Sequence, residues 1–375
     1  MRRHSPPVCY PCLVARIDSF LRLVVEQGAS DLHFDAGKPP LIRHNGDLLA
    51  LPFRALSEAE TRRFLFELLS PDERERLETA QELDMLYALP GVGRFRVNMF
   101  AQSEGYGAAC RIIPDRPPEL GALGFPAAIR GLCNLQAGLV LIGGPTGSGK
   151  TTTLAAIVHE INKTSRRHIV TIEDPIEFLH DPIQSVVTQR QVGAHIESFA
   201  GAVHSALRAA PDVLVVGEMR DHETMQLALQ AAETGVLVFG TLHTNSAPKT
   251  LSRVLDIAPE DFREQLRATL AVHLRAVVAQ HLVKRAGGDG RIAALEILLN
   301  TPAVATMIRE NRVPQLEGQL TNASPDSGMQ SLDACLLRLL QDGVVDADDA
   351  LSTAEHPEQL RRALLQVAQQ LEQEA

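Results

Sequence analysis

Residues 144–151 read Gly144, Pro145, Thr146, Gly147, Ser148, Gly149, Lys150 and Thr151. They fit G-x-x-x-x-G-K-[ST] at every position, with Thr152 following. An apolar run at 138–142 precedes the motif, and a helical pattern over about 150–162 follows it. Glycines let successive backbone N–H groups turn inward and cradle phosphate oxygens. The N-terminus of the following helix adds partial positive charge at the same place. Lys150 would offset β- and γ-phosphate charge, and the Thr151 hydroxyl would ligate Mg²⁺. A chance Gly-rich turn would not bring the strand before and the helix after. The motif therefore implies a nucleoside triphosphate, ATP, with Mg²⁺.

Binding alone does not give hydrolysis, which needs a water-positioning group and a γ-phosphate sensor. The run 212–218 is an apolar strand ending in Gly217-Glu218, where an acid at the strand end is usual. Glu218 is the candidate to polarise an attacking water. Glu173, Asp174 and Glu177 follow another strand, and His243 ends a further one and could sense γ-phosphate. Taken singly, such acids are often solvated loop residues and such a histidine is often structural. Behind a phosphate-binding loop they read as functional, because a parallel sheet gathers its strand ends at one edge.

The elements that must position these groups fall into two grammars. In 17–113, a helix at 17–27 capped by Gly28 leads to a short strand at 31–34 and a hairpin at 40–51 turning at Asn45-Gly46. Two helices follow, opening at Ser57 and Pro71, and then strands over 83–113. This predicts a small α+β domain. The segment 114–123 is rich in Pro and charge and reads as a linker. From 124 to 300, β-branched runs at 138–142, 168–172, 212–216 and 236–241 alternate with helical patterns. Such alternation predicts a RecA-like α/β domain with a mostly parallel sheet. From Pro259 the chain reads as mostly helical, apart from a hairpin around 287–290 and a strand at 291–298. Residues 301–375 form a helical C-terminal region.

Composition narrows the class. The chain has 375 residues, 45% of them hydrophobic and 22% charged, with a net charge of −10. Acidic charge, no Trp and only three Tyr count against a nucleic-acid binder. The five cysteines, an odd and scattered set, fit a reducing compartment. Cys9 and Cys12 form a lone CxxC within an irregular extension, 1–16, and lack a second ligand pair for zinc. The basic start is too short in its apolar part, and too broken by proline, for a signal peptide. No apolar run approaches the ~20 residues that span a bilayer. Any membrane association is expected to be peripheral, through a protein partner.

Four blocks together resemble the secretion-type hexameric ATPases: GGPTGSGKTTTLAA (143–156), TIEDPIEF (171–178), LRAAPDVLVVGEMRD (207–221) and TLHTNSAPKT (241–250). LRLVVEQGASDLHF (21–34) and GVGRFRVNMF (91–100) are similar to the PAS-like N-terminal domain of the type IV pilus retraction ATPases. The resemblance spans roughly residues 17–340. It implies a homo-hexamer in the cytoplasm, at the cytoplasmic face of the inner membrane, working against a pilus platform protein and driving twitching motility. Nucleotide would sit between the PAS-like and RecA-like domains. Glu177 matches the family's Asp-box glutamate, Glu218 its Walker B glutamate and His243 its His-box histidine. Arg94, Arg96 and Arg111 match arginines of the small domain that reach the phosphates, and Arg208 matches one just before Walker B. The chain departs from the family at His204, where an arginine is usual, at Ala209-Ala210, where an acidic pair is usual, and at 303–306, which lacks the usual arginine.

Other readings are a pilus-extension or type II secretion ATPase, a RecA-like nucleic-acid translocase and a scaffold that only binds nucleotide. The extension and secretion enzymes usually carry a four-cysteine zinc module, and no cysteine lies between Cys133 and Cys335. Retention of Lys150, Thr151 and Glu218 argues against a scaffold.

Overall fold

A computed structural model describes residues 15–374 except 45–46, 115, 194 and 289. The Asn45-Gly46 turn, the Cys9/Cys12 pair and all but the last two residues of the N-terminal extension lie outside the described residues. The chain divides into two compact units, Met1–Arg116 and Pro117–Ala375.

The first unit runs α1 (Asp18–Glu26), β1 (Asp31–Asp35), β2 (Leu41–His44), β3 (Asp47–Ala50), α2 (Glu58–Phe66), α3 (Pro71–Ala80), β4 (Glu82–Leu89), β5 (Gly93–Gln102) and β6 (Gly105–Ile113). The helix starts are written locally. Ser57 with Glu60 and Ser70 with Glu73 each form a reciprocal capping box, satisfying N–H groups that have no partner inside the helix. The strands form one antiparallel sheet in the order β3-β2-β1-β6-β5-β4. Alternation decides its faces. Phe95, Val97 and Met99 are buried with Leu32 and Phe34 under α1 and α2 residues such as Leu21 and Leu65, so Arg94 and Arg96 lie on the other face. Arg111 is directly opposite Arg96 and joins that face.

The second unit continues with α4 (Ala127–Cys133), β7 (Gly138–Gly143), α5 (Lys150–Thr164), β8 (His168–Glu173), β9 (Val186–Gln191), α6 (Phe199–Leu207), β10 (Val213–Val216), α7 (His222–Glu233), β11 (Leu237–Leu242), α8 (Ala247–Ile257), α9 (Arg263–His273), β12 (Leu274–Lys284) and β13 (Arg291–Leu299). It closes with α10 (Pro302–Arg309), α11 (Leu316–Thr321), α12 (Leu332–Gln341), α13 (Ala347–Thr353) and α14 (Pro357–Glu374). The sheet order is β13-β12-β7-β11-β10-β8-β9, parallel except for the β12–β13 pair. Leu139 and Leu141 face one apolar layer with α7, α8 and α9; Val140 and Ile142 face the other with α4 and α5. This is the RecA-like α/β architecture. A smaller apolar cluster joins α12, α13 and α14 to Val283 and Ala294 of the β12–β13 hairpin.

Two sequence expectations change. The segment 114–123 is not a linker throughout. Residues Leu120–Leu123 form a 3-10 turn with Leu120 buried. Glu119 bonds Lys163 at 2.6 Å and His159 at 3.3 Å on α5. An apolar side chain and an ion pair fasten this stretch to the second unit. The region after Pro259 also holds more sheet than expected. β12 is an eleven-residue strand beside β7; its interior run of buried residues carries no alternation to separate strand from helix. Among the described residues no helix is long and apolar enough to cross a membrane.

Candidate active site

The P-loop leaves β7 at Gly143, between β11 and β12. Gly147 (φ +78°) and Gly149 (φ +86°) take left-handed backbone that side chains disfavour. A Cβ at Gly144 would lie 2.3 Å from Ser148 Oγ and 2.6 Å from the Gln280 carbonyl oxygen. Lys150 heads α5, and its ammonium donates to the Gly144 and Pro145 carbonyls at 2.7 and 2.9 Å. Burial pulls the Lys150 pKa below the ordinary lysine value, against the opposing pull of the Glu218 carboxylate. Further negative charge at this place would favour the ammonium form. Ser148 Oγ is buried and has no protein partner. A cradle cleared of Cβ atoms, a buried hydroxyl awaiting a partner and an ammonium on loop carbonyls all fit phosphate. Thr151 and Thr152 stand in the first turn of α5, with Thr151 exposed.

The other groups arrive from neighbouring strand ends. Gly217 and Glu218 follow β10. The Gly217 N–H bonds the Ile172 carbonyl at 2.7 Å, and a Cβ there would meet that oxygen at 2.9 Å. Glycine before Glu218 is therefore required by the close approach of β8, which accounts for the Gly-Glu strand end. Glu218 lies 3.1 Å from His243 Nε2 and accepts from Arg220 Nη2 at 2.6 Å. Burial would raise its pKa, but Arg220, His243 and Lys150 together hold it below the usual carboxylate range. Glu218 is thus an ionised acceptor, suited to orienting a water.

Glu173 ends β8, accepting from Thr171 Oγ1 at 2.6 Å and from Gln189 Nε2 at 3.1 Å. Glu177 follows a cis Asp174-Pro175 bond and is half-buried. Arg208 caps the C-terminus of α6 and bonds His204 Nδ1 at 2.9 Å. The departure from the usual acidic pair falls on Ala210, at φ +48°, a conformation that favours Gly, Asn or Asp. In the first unit, Arg111 Nε donates to buried Asp31 at 2.7 Å. Burial pushes the Asp31 carboxyl up, but bonds from Ser30 and Arg111 outweigh it, and the net shift is downward. Arg96 pairs with Asp84 at 3.9 Å. The sheet register brings Arg94, Arg96 and Arg111 onto one face, as described above.

Sequence reasoning missed Arg220 and Gln280. Arg220 stands two residues after Glu218, and a guanidinium so near an acid was a usable signal. Gln280 lies inside an apolar strand 132 residues after Ser148 and gave no signal. A cleft of about 1020 Å³ lies elsewhere. Its lining residues Arg167, Asp212 and Val236 immediately precede β8, β10 and β11, so it opens at the opposite, amino edge of the sheet and takes no part in this constellation.

With the geometry in place, similarity to known proteins sharpens its meaning. The family model for type II/IV secretion system proteins matches residues 12–333. The chain is 44% identical to the type IV pilus retraction ATPase PilT of Pseudomonas aeruginosa over 342 residues, covering 91% of this chain and 99% of that one. It is 41% identical to a twitching motility protein of Neisseria gonorrhoeae over 360 residues, covering 96% of each. A solved structure of the pilus retraction motor PilT with bound ADP superposes with a TM-score of 0.84 at 41% identity, covering 92% of this chain and 98% of that one. By the family model over residues 12–333, the identity to these relatives and the match of fold, the chain belongs to the type II/IV secretion system protein family and is a P-loop ATPase.

Proposed function

We propose that this chain is the ATP-hydrolysing motor of type IV pilus retraction, acting as a homo-hexamer. The observation that supports it most is convergence. The P-loop after β7, Glu173 at the end of β8 and Glu177 after it, Glu218 after β10 and His243 after β11 lie toward the carboxyl edge of one parallel sheet, the edge at which such sheets bind ligands.

The residues divide the work. Gly144, Pro145, Thr146, Gly147, Ser148 and Gly149 wrap the phosphates, and Lys150 leaves its loop carbonyls for β- and γ-phosphate oxygens. Thr151 would hold Mg²⁺, which when bound would neutralise phosphate charge; Thr152 completes the first turn of α5 beside it. Glu218 orients the attacking water, and His243, 3.1 Å away, registers the γ-phosphate beside it. Glu173 and Glu177 set the polar wall of the site, with Arg208 at the end of α6. Arg94, Arg96 and Arg111 supply positive charge to the phosphates. In a ring each turnover displaces a neighbour, and rotation becomes movement along the axis. The motor meets the membrane through the pilus platform protein, at the cytoplasmic face of the inner membrane, because a net charge of −10 opposes anionic lipid.

The test is complementation of a strain lacking this gene. Loss of twitching with excess surface pili, restored by the wild-type chain, supports retraction. Bald cells would show an extension motor instead.

A further inference from the structure

The P-loop is braced from outside its own motif. Gln280 of β12 is 2% exposed. Its Nε2 donates to the Ser148 carbonyl at 2.7 Å, and its Oε1 accepts from Thr153 Oγ1 at 2.7 Å. A carbonyl only accepts, so the amide orientation is fixed and Thr153 must be the donor. We propose that Gln280 is a positioning residue that sets the curvature of the P-loop for phosphate binding, tying the loop's exit to the first turns of α5; this rests on the motor reading above.

Three features support it. In a trans peptide the C=O and the next N–H point in opposite directions. Drawing the Ser148 carbonyl toward β12 therefore turns the Gly149 N–H away from β12. Second, two motif glycines face this one residue. A Cβ on Gly149 would lie 2.9 Å from Gln280 Nε2, and one on Gly144 would lie 2.6 Å from the Gln280 carbonyl oxygen. The glycines at 144 and 149 thus make room for Gln280 as well as for phosphate. Third, the brace is anchored. Ala279 is in register with Gly143, where the loop begins, and the next residue, His281, reaches the Asn245 carbonyl at 2.8 Å. One strand end thereby holds the P-loop and the His243 loop together.

The alternative is an amide that only satisfies buried polar atoms. The experiment uses the full chain with Gln280→Ala, Gln280→Glu and Thr153→Val. ADP affinity, KM and kcat for ATP, and Tm are measured for each. Gln280→Glu keeps the size and the Thr153 bond but sets a carboxylate against the Ser148 carbonyl. It is expected to weaken ADP binding and raise KM about 10-fold or more, the loss of a good hydrogen bond, with kcat within about 3-fold of wild type. Gln280→Ala should do the same, and Thr153→Val should weaken ADP binding about 3-fold, with no further loss when added to Gln280→Ala. Lower Tm with unchanged ADP affinity and KM would overturn the proposal, and Gln280→Glu and Thr153→Val still decide it if Gln280→Ala does not fold. A wild-type chain that binds ADP but turns over no ATP would overturn the motor reading instead, and the ADP measurements would still test Gln280.

Discussion

Lys150 and Glu218 carry opposite charges around the same space: burial lowers the Lys150 pKa against the pull of Glu218, while Arg220, His243 and Lys150 keep Glu218 ionised against its burial. Their roles separate experimentally. Lys150→Ala removes the ammonium that offsets phosphate charge, so ATP turnover should vanish and nucleotide affinity should fall. Glu218→Gln keeps the shape and loses the charge that orients water. Nucleotide binding should persist while kcat falls by ~10²-fold or more. Equilibrium binding beside steady-state turnover distinguishes the two, and loss of binding in Glu218→Gln would make Glu218 a structural residue. Arg220 adds a second lesson at this scale. It holds Glu218 through a charge-assisted bond at 2.6 Å, which orders the carboxylate and lowers its basicity together.

Among the elements, the turn after β10 and the β12–β13 hairpin do most to aim side chains. Gly217 lies against the backbone of β8, with Ile172 O at 2.9 Å and Glu173 Cα at 3.3 Å from where a Cβ would be. Backbone cannot swing aside as a side chain can. Gly217→Ala should therefore cost roughly 1–3 kcal/mol of stability and lower kcat by displacing Glu218, while ADP affinity stays near wild type. A thermal melt and a turnover assay on the same sample check this.

On β13, Glu296 is 3% exposed and accepts from the Ala247 N–H at the start of α8 at 2.6 Å. Burial, with further contributions from Glu355 and Asp333, raises its pKa from 4.5 to about 7. The folded state then holds a proton that the unfolded chain has released between pH ~4.5 and 7. Stability must fall as pH rises through that window and level off above it. Glu296→Gln cannot titrate. Its Tm relative to wild type should rise from pH 5 to pH 8, by an amount corresponding to roughly 3 kcal/mol at most. A difference that is flat across this range would show that Glu296 titrates normally.

At the scale of the whole molecule, the proposed motor assigns catalytic charge to Arg94, Arg96 and Arg111, which share the polar face of the first unit's sheet. Surface pairs such as Arg96–Asp84, 3.9 Å apart and both well exposed, contribute ~0–1 kcal/mol to stability. Arg94→Ala should leave folding and hexamers intact but cut turnover by ~10³-fold, the scale of an arginine finger. Arg111→Ala is the less clean partner, because it also strips a hydrogen bond from buried Asp31. Turnover within a few-fold of wild type in both variants, with hexamers still formed, would show that the first unit gives no catalytic charge.

What was legible in the residues alone is whatever chemistry is local. The phosphate loop is one contiguous segment, so its glycines, lysine and threonine announce it together. The capping residues Ser57 and Ser70, and the β-branched runs that became β7, β8, β10 and β11, also act over a few neighbours. Two things were decided only by the tertiary structure. One is the part of β12: its buried run has no periodicity, and its place beside β7 depends on a pairing more than 130 residues apart in sequence. The other is everything that follows from that pairing, including the amide of Gln280 on the Ser148 carbonyl, since a lone polar residue in an apolar run carries no mark of its partner. The stretch 114–123 shows the same limit in reverse. Proline and charge gave it the composition of a linker, but burial of Leu120 against the second unit outweighs local preference, because apolar surface is removed from water wherever the fold provides a place for it.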